Sequence, residues 1–305
     1  MMYDIHHVTT YHYDAPVTAA RCVLRLLPST DAGQRVIARE LVITPRPAGI
    51  VERTDFFGTR VAVATISTTH RELRIAATSR VEVERCSAAA EGPGPAWETV
   101  RQRALGSSDM GPRGPAHFIF PSRLVPHHAP ATAYAAESFA PGRPVVEAAL
   151  ELTRRIHRDF RYDPRATGIA TPLAEAFDAR GGVCQDFAHA MISALRGLGL
   201  PAAYVSGYIR TVPPPGRPRL VGADASHAWV SLWCGDDLGW IDCDPTNAQV
   251  AGDDHIVVAR GRDYADVSPI DGVILASGGQ RLEVSVDVAP REPSPSREPA
   301  ALPAC

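Results

Sequence analysis

The sequence lacks the features that mark a membrane, secreted or nucleic-acid-binding protein. None of its apolar runs approaches the roughly 18 residues that a membrane-spanning helix needs. Its first residues have neither the basic region nor the apolar region of a secretion signal. A net charge of −3 gives no electrostatic reason to expect nucleic acid or an anionic membrane as the main partner. We therefore expect a soluble, cytoplasmic protein.

Disulfide bonds are not expected either, because the 6 cysteines are scattered and include no Cys-x-x-Cys pair. No internal repeat is evident in the sequence. The composition, with 45% apolar and 21% charged residues, is typical of a globular protein. A chain of 305 residues is long enough for two domains, each with its own core.

Composition and periodicity divide the chain into four segments. Residues 1–86 contain short alternating or β-branched runs separated by turn signals, which predicts an antiparallel β-sandwich-like domain. Residues 87–142, rich in Ala, Pro, Gly and Ser, predict a linker that wraps a surface, with one short helix near 97–104. Residues 143–288 carry helical periodicity and then strands, which predicts an α+β core. Residues 289–305 alternate Pro, Ser, Glu and Arg, and predict a disordered tail.

Cys184 follows two glycines and opens an apolar helical pattern over about 184–197. The amides and macrodipole at a helix N-terminus stabilise a thiolate, which is the reactive form of cysteine. The glycines allow a substrate carbonyl to come close, and the amide of Cys184 can face an oxyanion. Because free cysteines are also among the most buried residues, this pattern alone is equally compatible with a structural role.

His227 lies on a predicted strand, with Trp229 on the same face. A predicted turn at 236–237 pairs this strand with the next and places Asp244 opposite Trp229, diagonal to His227. Side chains at that diagonal separation can reach each other. Asp242 faces Ser231, two pairs further from His227, so we expect Asp244 to orient His227 and Asp242 to have a supporting role. A bulge in either strand would change this assignment.

Other groups near Cys184 are less informative. His189 projects from a different face of the helix than Cys184, so it is expected to pack rather than react. A zinc site built from Cys184, His189 and His227 does not fit the usual ligand spacing. Gln185 either lines the site or is simply a residue of the first helical turn.

Four motifs occur in an order that is found in a known family. They are Gly-Val-Cys-Gln-Asp-Phe-Ala (182–188), Leu-Arg-Gly-Leu-Gly-Leu-Pro-Ala (195–202), Asp-Ala-Ser-His-Ala-Trp-Val (224–230) and Gly-Trp-Ile-Asp-Cys-Asp-Pro-Thr-Asn (239–247). Together they resemble the transglutaminase-like superfamily, in particular its bacterial branch with a β-rich N-terminal domain. The resemblance implies a papain-like α+β catalytic core. It implies a triad in which Cys184 is the nucleophile, His227 the base and acid, and Asp244 the residue that orients His227.

The resemblance also bears on the oxyanion and on metals. Animal members use an aromatic donor upstream of the cysteine to hold the oxyanion, and Tyr162 occupies the matching stretch here. A phenol can donate that hydrogen bond, although a tyrosine that merely closes a helix would look the same. The insertions that carry calcium sites in animal members have no visible counterpart. We therefore expect no metal or other cofactor.

The reaction that the resemblance implies is acyl transfer from a glutamine carboxamide or a peptide amide through a thioester. With a primary amine as acceptor the enzyme is a transglutaminase, and with water it is a cysteine peptidase, amidase or deamidase. The sequence leaves both acceptors open. A non-catalytic binding module would be expected to have lost part of the triad, and all three residues are present. The expected partner is a protein or peptide substrate.

Overall fold

The computed structural model describes residues 1–85, 92–211 and 225–291. Its strands are β1 (Met2–Val17), β2 (Ala19–Leu24), β3 (Gln34–Thr44), β4 (Gly49–Thr54), β5 (Arg60–Ile66), β6 (His70–Val83), β7 (Arg161–Tyr162), β8 (Gly181–Gly182), β9 (Ala202–Ile209), β10 (Ala225–Trp233), β11 (Trp240–Asp244), β12 (Gln249–Val250), β13 (His255–Gly261), β14 (Ile270–Leu275) and β15 (Gln280–Arg291). Its α-helices are α1 (Trp97–Leu105), α2 (Ala129–Ala136), α3 (Val145–Asp159), α4 (Leu173–Ala179), α5 (Cys184–Gly197) and α6 (Tyr264–Val267). Within this described part of the chain, no helix is long and apolar enough to cross a membrane.

Two four-stranded antiparallel sheets form a sandwich, with strand orders β15-β1-β6-β3 and β14-β2-β5-β4. Because successive residues of a strand face opposite sides, alternate side chains of both sheets meet in one apolar cluster. Leu24 and Ile66 from one sheet and Leu73 and Ile75 from the other are fully buried in it. The predicted antiparallel sandwich-like domain is confirmed.

The strands at the end of the predicted 143–288 segment lie in this sandwich rather than in the α+β core. β14 pairs with β2, and β15 pairs along β1 from Met2 to Tyr13. Without them, β1 and β2 would each present an unpaired edge. The alternating pattern in β15 indicated a strand, but alternation carries no information about which strand will be its partner.

The predicted linker at 87–142 contains more structure than its composition indicated. The helix expected near 97–104 is α1, but α2 is a second helix that packs against α5. Ala131, Tyr134 and Ala135 of α2 are buried in the core. Small alanine side chains allow close helix packing while producing little hydrophobic periodicity, so the sequence pattern missed this helix.

The second domain is a five-stranded antiparallel sheet in the order β12-β11-β10-β9-β13, and α5 packs against β9 and β10. Phe187, Met191 and Leu195 of α5 are fully buried. The apolar side chains of α5 follow a helical spacing and those of the strands alternate, which is why helix and sheet share one core. This arrangement places the first turn of α5 beside β10, and it confirms the α+β class.

The sandwich packs directly on the second domain. Tyr3, Val81 and Val288 belong to the same apolar cluster as the residues of α5 and β10. The hydroxyl of Tyr3 also donates to Asp254 Oδ1 at 2.7 Å, just before β13. The two domains therefore share a continuous core. Residues 289–291, predicted as the start of a disordered tail, instead belong to β15 and pair with β1, and the tail from residue 292 onward lies outside the described residues.

Candidate active site

The start of α5 is fixed by Asp186. Its Oδ2 accepts hydrogen bonds from the Val183 N–H at 2.8 Å and from the Thr167 hydroxyl at 2.6 Å. Gly182, with φ +149°, leaves room for this carboxylate, because a Cβ at that position would lie 2.3 Å from Asp186 Oδ2. Cys184 is therefore held as the first helical residue.

Cys184 is a free cysteine and is half-buried, so its thiol can be reached from solvent. The amides of Asp186 and Phe187 donate to the Val183 carbonyl, whereas the amides of Cys184 and Gln185 have no backbone partner among the described residues. These two N–H groups and the helix dipole create a positive end beside the sulfur. The position suits both a thiolate and a developing oxyanion.

His227 lies between Cys184 and Asp244. Its Nε2 is 2.8 Å from Asp244 Oδ2. Because Asp244 occupies Nε2, Nδ1 is the ring nitrogen left to face Cys184. Burial alone would lower the pKa of His227, but the hydrogen bonds to Asp244 and Cys184 raise it to about 9. The imidazole is thus predisposed to carry a proton next to the thiol.

Asp244 is fully buried and well supplied with donors. Its Oδ1 accepts the backbone N–H groups of Thr246 at 2.9 Å and Asn247 at 3.2 Å. Its Oδ2 accepts the Asn247 side-chain amide at 2.7 Å as well as His227. Burial by itself would raise the pKa of Asp244, but hydrogen bonds from His227 and His255 hold it well below the ordinary range. The carboxylate is therefore ionised and can orient the imidazole.

The pairing of β10 with β11 explains why Asp244, and not Asp242, contacts His227. Ser231 pairs with Asp242 and Val230 with Cys243, which is the register predicted from the turn. Asp242 instead accepts the indole N–H of Trp229 at 3.0 Å. The Trp229 ring lies nearly parallel to that of His227, with 6.0 Å between ring centroids. Asp242 thus contacts the ring that flanks His227 rather than His227 itself.

Asp242 is also part of a buried charge cluster. Both of its carboxylate oxygens accept from the Arg260 guanidinium at 3.1 Å. Burial would raise the pKa of Asp242, but the charge and hydrogen bonds of Arg260 hold it far below the ordinary value. Arg260 also donates to Asp31 at 3.1 Å, so this pair connects the two domains. No pattern in the sequence indicated this cluster.

Tyr162 and Gln185, the other predicted site residues, differ in their surroundings. β7 runs parallel to β8 and pairs Tyr162 with Gly182, two residues before Cys184. Tyr162 is 54% exposed, and its pKa is raised first by partial burial and then by its electrostatic interaction with Cys184. Gln185 is buried, and its amide donates to the Ile169 carbonyl at 3.4 Å.

His189 packs away from these groups, as the helical spacing predicted. Its Nε2 accepts the backbone N–H of Tyr264 at 3.2 Å. Burial lowers the pKa of His189 to about 4, so it is neutral at physiological pH. It contributes no ligand or proton to the site around Cys184.

Two further residues of the site, Asn247 and His255, were not identified from the sequence. Asn247 belongs to the Asp-Pro-Thr-Asn motif, so its proximity to Asp244 carried a local signal. His255 is the first residue of β13, which pairs with β9 rather than β10. Only the three-dimensional course of the chain brings its ring to Asp244, where Nε2 lies 3.1 Å from Oδ2.

The cluster around Asp244 has the residue types of a metal site. In the described part of the chain, His227, Asp244 and His255 form the group whose potential ligand atoms lie within 4.8 Å of one another. These atoms are already engaged in hydrogen bonds of 2.8 and 3.1 Å, which join nitrogen and oxygen directly. A hydrogen-bonded histidine–carboxylate network accounts for this geometry.

Family models match most of both domains. Residues 3–82 match the bacterial transglutaminase-like N-terminal region, and residues 132–245 match the transglutaminase-like superfamily. The second match begins within α2 and ends just after Asp244. The candidate triad therefore lies wholly within the segment that the superfamily model covers.

Similar proteins occur in mycobacteria. An uncharacterized protein of Mycobacterium tuberculosis is 40% identical over 304 residues, which is 95% of this chain and 93% of that protein. An uncharacterized protein of Mycobacterium leprae is 32% identical over 288 residues, which is 92% of this chain and 96% of that protein. A protein-glutamine gamma-glutamyltransferase of Pseudomonas aeruginosa is 38% identical over 110 residues, covering 35% of this chain and 16% of that protein.

A solved structure has the same fold over nearly the whole chain. It is described as a "putative cysteine protease" from Cytophaga hutchinsonii and has a TM-score of 0.73 at 22% identity. The match covers 97% of this chain and 93% of the other. With two family models matched in order and relatives aligned along almost its entire length, this chain belongs to the transglutaminase-like superfamily.

Proposed function

We propose that the protein is a cysteine-dependent acyltransferase that acts on glutamine carboxamides of proteins or peptides. The observation that carries the proposal is His227, whose Nε2 contacts the buried Asp244 and whose pKa is raised by Asp244 and by Cys184, the first residue of a helix. Nucleophile, base and orienting carboxylate in this order are the parts that covalent acyl transfer needs.

The first half of the reaction makes a thioester. The Cys184 thiolate attacks the carboxamide carbon, and the carbonyl oxygen becomes an oxyanion. The free amides of Cys184 and Gln185 are placed to hold it, with the Tyr162 hydroxyl as a further donor. The C–N bond then breaks, and protonated His227 transfers its proton to the departing nitrogen, which leaves as ammonia. Cys184 is left acylated and His227 neutral.

The second half of the reaction regenerates the enzyme. Neutral His227 takes a proton from the acceptor as the acceptor attacks the thioester carbon. The C–S bond breaks, Cys184 leaves as a thiolate, and the proton stays on His227. A primary amine gives a substituted amide and water gives a carboxylate, so both acceptors fit the same catalytic groups.

We favour a primary amine as the acceptor, because a protein-glutamine gamma-glutamyltransferase is 38% identical to this chain over 110 residues. Hydrolysis is the competing outcome.

The 31 lysine and arginine positions of this protein are all arginines, so it has no lysine to serve as its own acceptor. This absence of lysine removes lysine-based self-cross-linking as a background in activity assays.

The test is intact-mass analysis of the enzyme with glutamine-containing peptides, with and without a primary amine. Amine incorporation into the peptide, together with an acylated enzyme intermediate, is expected. Deamidated peptide that forms equally with and without amine would assign the protein as a hydrolase. A Cys184→Ala variant is the control, and product formation by that variant would overturn the nucleophile assignment.

A further inference from the structure

Asp244 binds a second histidine besides His227. The Nε2 of His255 lies 3.1 Å from Asp244 Oδ2, the same oxygen that contacts His227. His255 is 1% exposed and Asp244 fully buried, so water does not compete for this contact. Two imidazoles thus share one carboxylate oxygen.

The position of the ring hydrogen of His255 follows from its other nitrogen. The backbone N–H of Gly252 points to His255 Nδ1 at 3.3 Å, so Nδ1 acts as an acceptor. In a neutral imidazole one nitrogen accepts and the other donates, which places the hydrogen on Nε2. His255 therefore donates to Asp244, and both ring nitrogens have partners.

The ring of His255 is also held from the side. The indole of Trp229 contacts it edge-on, with 5.2 Å between ring centroids. Trp229 fits there because position 207 is a glycine, where a Cβ would lie 2.6 Å from the indole ring. Because Trp229 also flanks His227, the two histidines and the indole form one packed unit around Asp244.

The donors to Asp244 differ in where they come from. Thr246 and Asn247 follow Asp244 immediately in the chain, so they move with it. His255 belongs to β13, at the far side of the sheet beyond β9. Among the described residues that donate to Asp244, His255 is the one besides His227 that comes from outside the β11 turn. It fixes the carboxylate relative to the rest of the sheet.

We propose that His255 is a positioning residue that holds Asp244 so that His227 presents Nδ1 to Cys184. This rests on the triad of the proposed function and adds a residue to it. His255 contacts no reacting atom in this arrangement. Its effect is transmitted through the Asp244 carboxylate to the imidazole and then to the thiol.

Three substitutions of His255 test its two hydrogen bonds, to Gly252 and to Asp244, separately. In His255→Gln, the side-chain amide can reach the place of Nε2 and donate to Asp244. In His255→Asn, the shorter amide can satisfy the Gly252 N–H but does not reach Asp244. His255→Leu keeps the volume and removes both hydrogen bonds.

The first readout is the rate of Cys184 alkylation by iodoacetamide as a function of pH, which reports the thiolate and needs no substrate. We expect His255→Asn and His255→Leu to lower this rate near neutral pH, because a displaced His227 stabilises the thiolate less. His255→Gln should keep the profile of the unaltered protein. A folded His255→Asn variant with an unchanged profile would overturn the proposal.

The second readout is turnover of a glutamine peptide. His255→Asn should lower kcat about 10- to 100-fold, the range expected when one hydrogen bond to a charged group is lost, with little change in KM. A purely structural role would lower the melting temperature without separating Gln from Asn. If no peptide is turned over but the alkylation profiles differ as expected, the proposed substrate fails and the positioning role stands. If His255→Leu does not fold, the comparison of Gln with Asn still decides.

Discussion

Asp242 and Asp244 are two residues apart on β11, yet only Asp244 contacts His227. Asp244 Oδ2 lies 2.8 Å from His227 Nε2, whereas Asp242 accepts the indole N–H of Trp229 and pairs with Arg260. The two acids are both buried and both ionised, but they stabilise different parts of the site. Substitutions at these positions should therefore have different effects.

Asp244→Asn should lower kcat far more than Asp242→Asn, by up to ~10⁴-fold, because the imidazole loses its orientation and tautomer. Steady-state kinetics with a glutamine peptide measure this difference. Asp242→Asn should instead lower the free energy of unfolding by about 3 kcal/mol, because Arg260 stays buried without its main partner. Urea unfolding tests that effect. A larger loss of turnover in Asp242→Asn than in Asp244→Asn would mean that Asp244 is not the residue that orients His227.

Cys184 should react with iodoacetamide near neutral pH faster than the other described cysteines. Burial raises the pKa of Cys22 and Cys234, and it raises the pKa of Cys243 to about 12. Among the described cysteines, Cys184 is the one that is half-buried and lies at a helix N-terminus, where it interacts with His227. Peptide mapping after brief labelling gives the rate at each site. Equal labelling of these thiols would argue against the nucleophile assignment.

Cys184→Ala should abolish acyl transfer with little loss of stability. The side chain is partly exposed, so its removal leaves no closed cavity of the kind that destabilises a core. The measurements are amine incorporation and the melting temperature. A large drop in melting temperature would favour a structural role for the thiol.

The stability of the protein should fall as the pH rises from 6.5 towards 9. The folded state holds the His227 proton with a pKa of about 9, against 6.5 for a free imidazole. Between these values the folded state binds more protons than the unfolded state, so its advantage is full below 6.5 and is lost on passing about 9. The loss can reach about 3 kcal/mol. Urea unfolding at several pH values measures it, and Asp244→Asn should flatten the dependence.

Tyr162→Phe should lower kcat by about 10²–10³-fold with a modest change in KM if the hydroxyl helps to hold the oxyanion. Tyr162 is exposed and pairs with Gly182, two residues before Cys184, so its hydroxyl is accessible to a substrate. Kinetics of this variant should be compared with those of Gln185→Ala, which leaves the backbone donor at residue 185 intact. A change in turnover below about threefold for Tyr162→Phe would limit the oxyanion donors to backbone amides.

Local patterns predicted the parts of the site that lie close together in sequence. A short turn sets the register of β10 with β11, and this register was enough to select Asp244 over Asp242. His255 could not be found in this way, because its strand is separated from β10 by β9. The position of its ring depends on Gly207 and Trp229, and a sequence pattern does not contain that packing.

The pairing of β15 with β1 and of β14 with β2 makes the catalytic domain an insertion within the sandwich. The polypeptide passes from sandwich to catalytic domain after β6 and returns before β14. The chain passes between the two domains twice, whereas in a simple tandem arrangement it would pass once. Relative motion is then restricted to bending about these crossings, and neither domain can swing free or exchange with another copy without unpairing β14 and β15. The sandwich is therefore held in one place relative to Cys184.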